Sequence, residues 1–184
     1  MATDEEVAGQ TRAWLRTVVI GAGFCPFAAQ ELARNTIRYE VSRATRLEDC
    51  LEYFIGGCLR LELDSQTETS LLVFPDAFDE FEVYLGFVEL AEDLLVEQGY
   101  EGVYQLASFH PQYRFAAAPD DDPANYTNRS PYPMLHLLRE SSIEQALKDF
   151  PRPEQIPQRN IETARAMGLE KMQHMLGECL KPRG

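Results

Sequence analysis

The sequence predicts an α/β fold: a small, mostly parallel three-stranded sheet covered by helices, with further helices at both ends and a long ordered loop after the third strand. Three observations carry this. Strand-like and helix-like segments alternate between residues 35 and 109, which implies parallel strands joined by right-handed crossovers. Ser70-Leu71-Leu72-Val73-Phe74 is an unbroken apolar run, as in a strand covered on both faces. From His110 to Leu138 no helix or strand period runs through the middle of the segment, which marks a loop.

Thr3-Asp4-Glu5-Glu6 has the composition of a helix start, with acids in the first turn. Val7, Trp14, Leu15, Val18 and Val19 continue near helical spacing, and Gly21 and Gly23 end or bend the helix. Pro26 suits the first turn of a second helix over Phe27 to Leu32. Asn35 to Ser42 alternates, with Ile37, Tyr39 and Val41 on one face and Arg38 and Glu40 on the other, as a half-buried strand does. Leu47 to Leu63 reads as a helix whose stripe is Leu47, Leu51, Phe54, Ile55 and Leu59. Gly56-Gly57 in its middle either weakens it or marks close packing.

After a polar turn over Ser65 to Thr69 comes the apolar strand, then a second long helix from Phe81 to Gln98 with Gly99 as its stop. Val103 to Phe109 is the third strand, closed by His110-Pro111. Beyond the loop, Pro133 to Leu147 reads as a helix bearing Met134, Leu137, Leu138 and Ile143. Pro151, Pro153 and Pro157 make a rigid linker to an amphipathic helix over Asn160 to Leu180. The expected organisation is one domain, 1–184, with 151–184 as a C-terminal helical appendage. No fourth segment reads as a strand.

The formal net charge of −13 opposes binding to nucleic acid, which needs Lys and Arg to neutralise phosphates, and opposes docking on anionic membrane. Cys25, Cys50, Cys58 and Cys179 form no C-x-x-C pair, so no zinc ribbon or thioredoxin motif is present. Cys50 and Cys58 fall two helical turns apart, too far for a disulfide. Reduced thiols in a cytoplasmic protein are the simplest reading. The acidic, polar N-terminus lacks the regions of a signal peptide, and no apolar run approaches a membrane span. Phosphate-loop, dinucleotide, nucleophile-elbow and H-E-x-x-H signatures are absent.

The segment His110 to Leu138 holds two of the three His, a run of three Asp, two Arg, two Asn, three Tyr and five Pro. Loops of this length inside a domain are usually functional or disordered, and the aromatic residues argue against disorder. Cys25 precedes Pro26 at an expected helix N-cap, where exposed N–H groups would favour a thiolate; its bland reading is a buried thiol between Phe24 and Phe27. His110 ends a strand and reads equally as a general base, a metal ligand or a ring bonded to a nearby carbonyl. Asp120, Asp121 and Asp122 offer oxygens to a cation, but Asp122 before Pro123 also initiates a turn. Asn125, Tyr126, Asn128, Ser130 and Tyr132 are dense in hydrogen-bonding groups. Arg114 and Arg129 supply positive charge, and the fork of Arg129 suits a carboxylate or phosphate unless it staples the loop to its acidic neighbours. His136, near an expected helix start, and His174 read as structural.

At Gly23-Phe-Cys-Pro-Phe-Ala28 and across Ser108 to Glu140 (SFHPQYRF…DDPANYTNRSPYPMLHLLRE) the chain resembles a bacterial family catalogued as a domain of unknown function, DUF1415, whose proteins are of about this length. The resemblance covers nearly the whole chain. It implies a single domain and a soluble bacterial protein, and it brings no activity with it.

Two readings from different classes follow. In the first, a small-molecule enzyme uses Cys25 as nucleophile or redox thiol, His110 as base and Asp122 (or Asp121) as its orienting group. Arg129, with Arg114, Asn125, Tyr126, Asn128, Ser130 and Tyr132, would hold an anionic substrate. A metal variant takes Cys25, His110 and an Asp as ligands. In the second, a non-catalytic ligand-binding or protein-interaction module uses the loop structurally, and its C-terminal helices mediate self-association. No cofactor is indicated by any motif.

Overall fold

In the computed structural model, which describes residues 1–148 and 150–181, the first helix starts where the sequence predicts, with Thr3 as its cap. Its hydroxyl accepts from the Glu6 N–H at 3.2 Å, and the Glu6 carboxylate accepts from the Thr3 N–H at 2.7 Å, a reciprocal pair that satisfies two otherwise orphaned donors. Helix α1 (Asp4–Trp14) runs directly into a π-helical turn, Leu15–Ile20. Such turns are rare and occur mostly as single turns, often at functional sites. Helix α2 (Ala28–Arg34) is followed by β1 (Ile37–Val41), α3 (Leu47–Leu63), β2 (Thr69–Val73), α4 (Phe81–Glu97) and β3 (Tyr104–Phe109).

The sheet has a strand that the sequence reading missed. Met134–Arg139, expected to begin a helix, is β4, and only Glu140–Leu147 is helical, as α5. The strand order is β1-β2-β4-β3. β1 and β2 pair parallel, while β4 lies between β2 and β3 and runs antiparallel to both. The sheet is therefore four-stranded and mixed, not a three-stranded parallel one, although the α/β class holds. The physical cause is burial on both faces. Met134, Leu135 and Leu137 are all fully buried, so β4 shows no alternation, and its apolar residues also fit helical spacing.

Helices cover both faces. Toward α1 and the π-turn the core contains Trp14, Val18, Leu71, Val73 and Met134; toward α3 and α4 it contains Phe54, Leu72, Phe74, Tyr84 and Leu135. The single helix expected over Asn160–Leu180 is two, α6 (Ile156–Met167) and α7 (Leu169–Cys179), divided at Gly168, whose φ of 83° suits glycine. Their buried residues Ala164, Met172 and Cys179 join the same core as Trp14. Met175 and Leu176 of α7 pack against that core as well. Residues 182–184 of the expected appendage lie outside the described residues.

Of the two adjacent glycines in α3, Gly57 marks close packing. A Cβ there would stand 2.8 Å from Leu72 Cδ1 and 3.1 Å from its Cδ2, and Leu72 is fully buried in the sheet. Overpacking of this kind typically costs about 1–3 kcal/mol, against a helix-propensity gain of about 1 kcal/mol for Ala over Gly. Gly57→Ala is expected to lower stability by about 1 kcal/mol net, read as a reduced urea midpoint with unchanged slope.

Candidate functional site

The loop from His110 onward is held by its own side chains. Asp122 caps a short 3-10 turn, Pro123–Thr127, by accepting from the Ala124 N–H. Its carboxylate also takes two hydrogen bonds from Arg165 of α6, at 3.2 and 2.7 Å, and this partner holds its acidity below the usual carboxylate range. Asn125 is fully buried: its Oδ1 accepts from the Phe115 N–H and its Nδ2 donates to the Pro119 and Asp120 carbonyls. Asn128 donates to the Ser108 carbonyl and accepts from the Thr127 hydroxyl. Ser130 donates to the Tyr132 carbonyl, and the Tyr132 hydroxyl donates to Gln10.

Arg129 donates to the Tyr113 and Asp120 carbonyls, at 3.0 and 2.9 Å, and lies over the Tyr126 ring. It staples the loop through main-chain oxygens. Arg114 is exposed and paired with Asp120 at 3.0 Å and Glu82 at 3.6 Å. Trp14 Nε1 donates to the Arg129 carbonyl, tying α1 to the loop. The residues expected to hold an anionic substrate are thus bonded to one another and to the main chain.

His110 is a brace. It is fully buried, its Nε2 lies 2.7 Å from the Phe78 carbonyl, and its Nδ1 accepts from the Gln112 N–H at 3.0 Å. A neutral ring with its proton on Nε2 satisfies both contacts. Burial lowers its pKa. It packs against Phe81 and Tyr84 on the α4 side of the sheet. Cys25 belongs to the opposite side: it packs against the core of α1 and the π-turn, as does Phe109, the neighbour of His110, whose ring lies 5.0 Å from Trp14. Adjacent strand residues point to opposite faces, so the sheet separates Cys25 from His110. Asp122, committed to Ala124 and Arg165, does not orient His110. The expected Cys–His pair and the Cys–His–Asp metal set are therefore not assembled. Among the described residues no group of three or more His, Cys, Asp or Glu side chains is placed to hold a metal. The N-cap expectation is corrected too: α2 begins at Ala28 with Phe27 as its cap, two residues past Cys25.

Cys25 instead lines a cavity of about 120 Å³ between the sheet, α2 and α5. Leu15, Phe27, Ile37, Leu71, Leu138 and Ile143 supply most of its apolar wall. The floor carries Thr69 and His136, which face the same side because their strands pair in register, with Leu71 opposite His136. His136 was expected to be a structural residue near a helix start; as the centre of β4 it becomes the histidine of this hollow. Its Nε2 lies 2.6 Å from Thr69 Oγ1, and burial pushes its pKa down to about 4. Reading Met134 to Leu138 as a strand would have found it, since a lone imidazole in an otherwise apolar central strand stands out.

The charged groups at the cavity are already engaged. Arg139 donates to the Leu61, Asp64 and Thr67 carbonyls. Glu31 accepts from Thr36, and Glu68 accepts from Ser142 at 2.7 Å. Cys25 also borders an outer groove lined by Val19, Phe24, Phe109, Tyr113 and Asn160. The π-turn serves both spaces, Leu15 facing the cavity and Val19 the groove.

The profile of a family described as "Protein of unknown function (DUF1415)" matches residues 6–174. No curated protein and no solved structure matches the chain. Among the described residues no helix is long and apolar enough to cross a membrane.

Proposed function

The chain belongs to the DUF1415 family, and, because that description names no activity, we propose from the geometry that it binds a small, largely apolar molecule in the cavity beneath α5. The observation that carries this reading is the cavity itself: an apolar-walled hollow against the sheet with few polar groups on its floor, the form small-molecule sites take. The self-bonded loop supports a binding module over a loop-based catalyst, because its polar side chains are spent on one another and on the main chain.

Ala146 lies on the α5 wall. Ala146→Leu is expected to fill the hollow and abolish binding of toluene, followed by ligand-observed NMR. Stability should rise by about 1 kcal/mol, as cavity filling commonly gives. Toluene that fails to bind the wild type, or that binds the variant equally well, would remove the proposal.

Cys25 provides an independent check. Cys50 and Cys58 are buried, and burial pushes their thiols up to about 11 and about 12, so alkylation by iodoacetamide near neutral pH should spare them. Toluene in the cavity is expected to slow modification of Cys25 several-fold. A rate indifferent to toluene would place the ligand elsewhere.

A further inference from the structure

We infer that the ligand is an uncharged molecule of about benzene's size that donates a hydrogen bond to Nδ1 of His136. This rests on the cavity reading above and specifies what the cavity accepts.

One proton decides the tautomer of His136. Thr69 Oγ1 lies 2.5 Å from the Leu137 carbonyl and 2.6 Å from His136 Nε2. A carbonyl oxygen only accepts, so the single hydroxyl proton of Thr69 is directed to Leu137. The Thr69 oxygen is then the acceptor for the imidazole, and the ring's proton sits on Nε2. Nδ1 of the neutral ring is left as a lone pair. It makes no hydrogen bond among the described residues, and it is not among their sealed, unpartnered polar atoms. The ring lines the cavity, so this acceptor is available to whatever fills it.

The other wall groups narrow the class. Arg139, the one cation among the lining residues, is committed to three main-chain carbonyls, and Glu31 and Glu68 are the charged groups that remain. A carboxylate ligand would meet two like charges, an acceptor-only nitrogen and no free cation. A molecule without polar groups would fill the apolar walls but displace water from Nδ1 without replacing its hydrogen bond, which is unfavourable. A phenol-like donor on an apolar body satisfies both. The volume of about 120 Å³ is close to that of the roughly 150 Å³ engineered cavity that accepts benzene.

The test uses phenol, toluene and benzoate as probes on ¹⁵N-labelled wild-type protein, with the imidazole nitrogens of His136 observed directly. In the free protein Nε2 should be protonated and Nδ1 unprotonated. Phenol should move the Nδ1 resonance toward the protonated range, toluene should bind and leave it in place, and benzoate should not bind. In His136→Phe the affinity for phenol relative to toluene should fall about tenfold, as loss of one net-favourable hydrogen bond implies; the wild-type spectra stand even where that variant folds poorly. A protonated Nδ1 in the free protein, an Nδ1 resonance indifferent to phenol, or benzoate binding as well as phenol each overturns the donor assignment while leaving the cavity reading intact. Failure of toluene to bind overturns both.

Discussion

His110→Ala is expected to destabilise the protein by about 3–5 kcal/mol, the range for losing a large buried side chain. The ring does more than fill space. It joins the Phe78 carbonyl to the Gln112 N–H, and truncation leaves both without that partner, each at a cost of about 1–3 kcal/mol where it stays buried. Phe78 adopts φ of 62°, a left-handed conformation that costs a non-glycine residue about 1–2 kcal/mol; His110 is among the contacts that hold it there. Tyr84, packed beside the ring, donates to the Met134 carbonyl and accepts from the Phe109 N–H, so one aromatic cluster secures the ends of β3 and β4 together. Urea denaturation of the variant should show the loss, and toluene binding should persist in the folded fraction, because the cavity lies across the sheet. A loss below about 1 kcal/mol would show that the ring is not a brace.

Acidification is expected to remove about 3 kcal/mol of stability between pH 6.5 and 4 through His136. The sign follows from its pKa of about 4 in the folded protein against the 6.5 of an ordinary histidine. Over that window the unfolded chain binds the proton and the folded one does not, so the contribution is complete above pH 6.5, declines as pH falls, and is gone once pH is below the folded value. His110, also lowered by burial, acts in the same direction. Asp122, lowered by Arg165, loses its contribution only as pH falls below the ordinary Asp range, which separates it from the histidines. Urea midpoints measured across pH 7 to 4 should fall, and the fall should be shallower in His136→Phe. An equal slope in the variant would mean that His136 titrates normally.

Those two histidines also mark how far the sequence could be read. The strand end at His110 and its choice between base and carbonyl-bonded ring were visible in the chain. The answer was not, because Phe78 is 32 residues away and no local pattern announces its carbonyl. For His136 the failure came earlier. β4 is apolar on both faces, so period-2 alternation disappears, and Met134, Leu137 and Leu138 imitate a helical stripe. The aromatic residues of the loop mark it as ordered, and the acidic neighbours of Arg129 allow a staple; its partners are main-chain carbonyls, which sequence spacing does not reveal.

The amino-acid order by itself determined what depends on near neighbours. It set the acidic start of α1, the half-buried strand β1, the helices over Leu47–Leu63 and Phe81–Glu97, and the α/β class that their alternation implies. Tertiary structure decided what depends on distant ones: the insertion of β4 between β2 and β3, the side of the sheet each histidine faces, and the hollow that joins Cys25 to His136. Local periodicity reports a side chain's direction only while one face of the element is wet. At the centre of a sheet covered on both sides that contrast vanishes, and only packing against the rest of the chain defines the site.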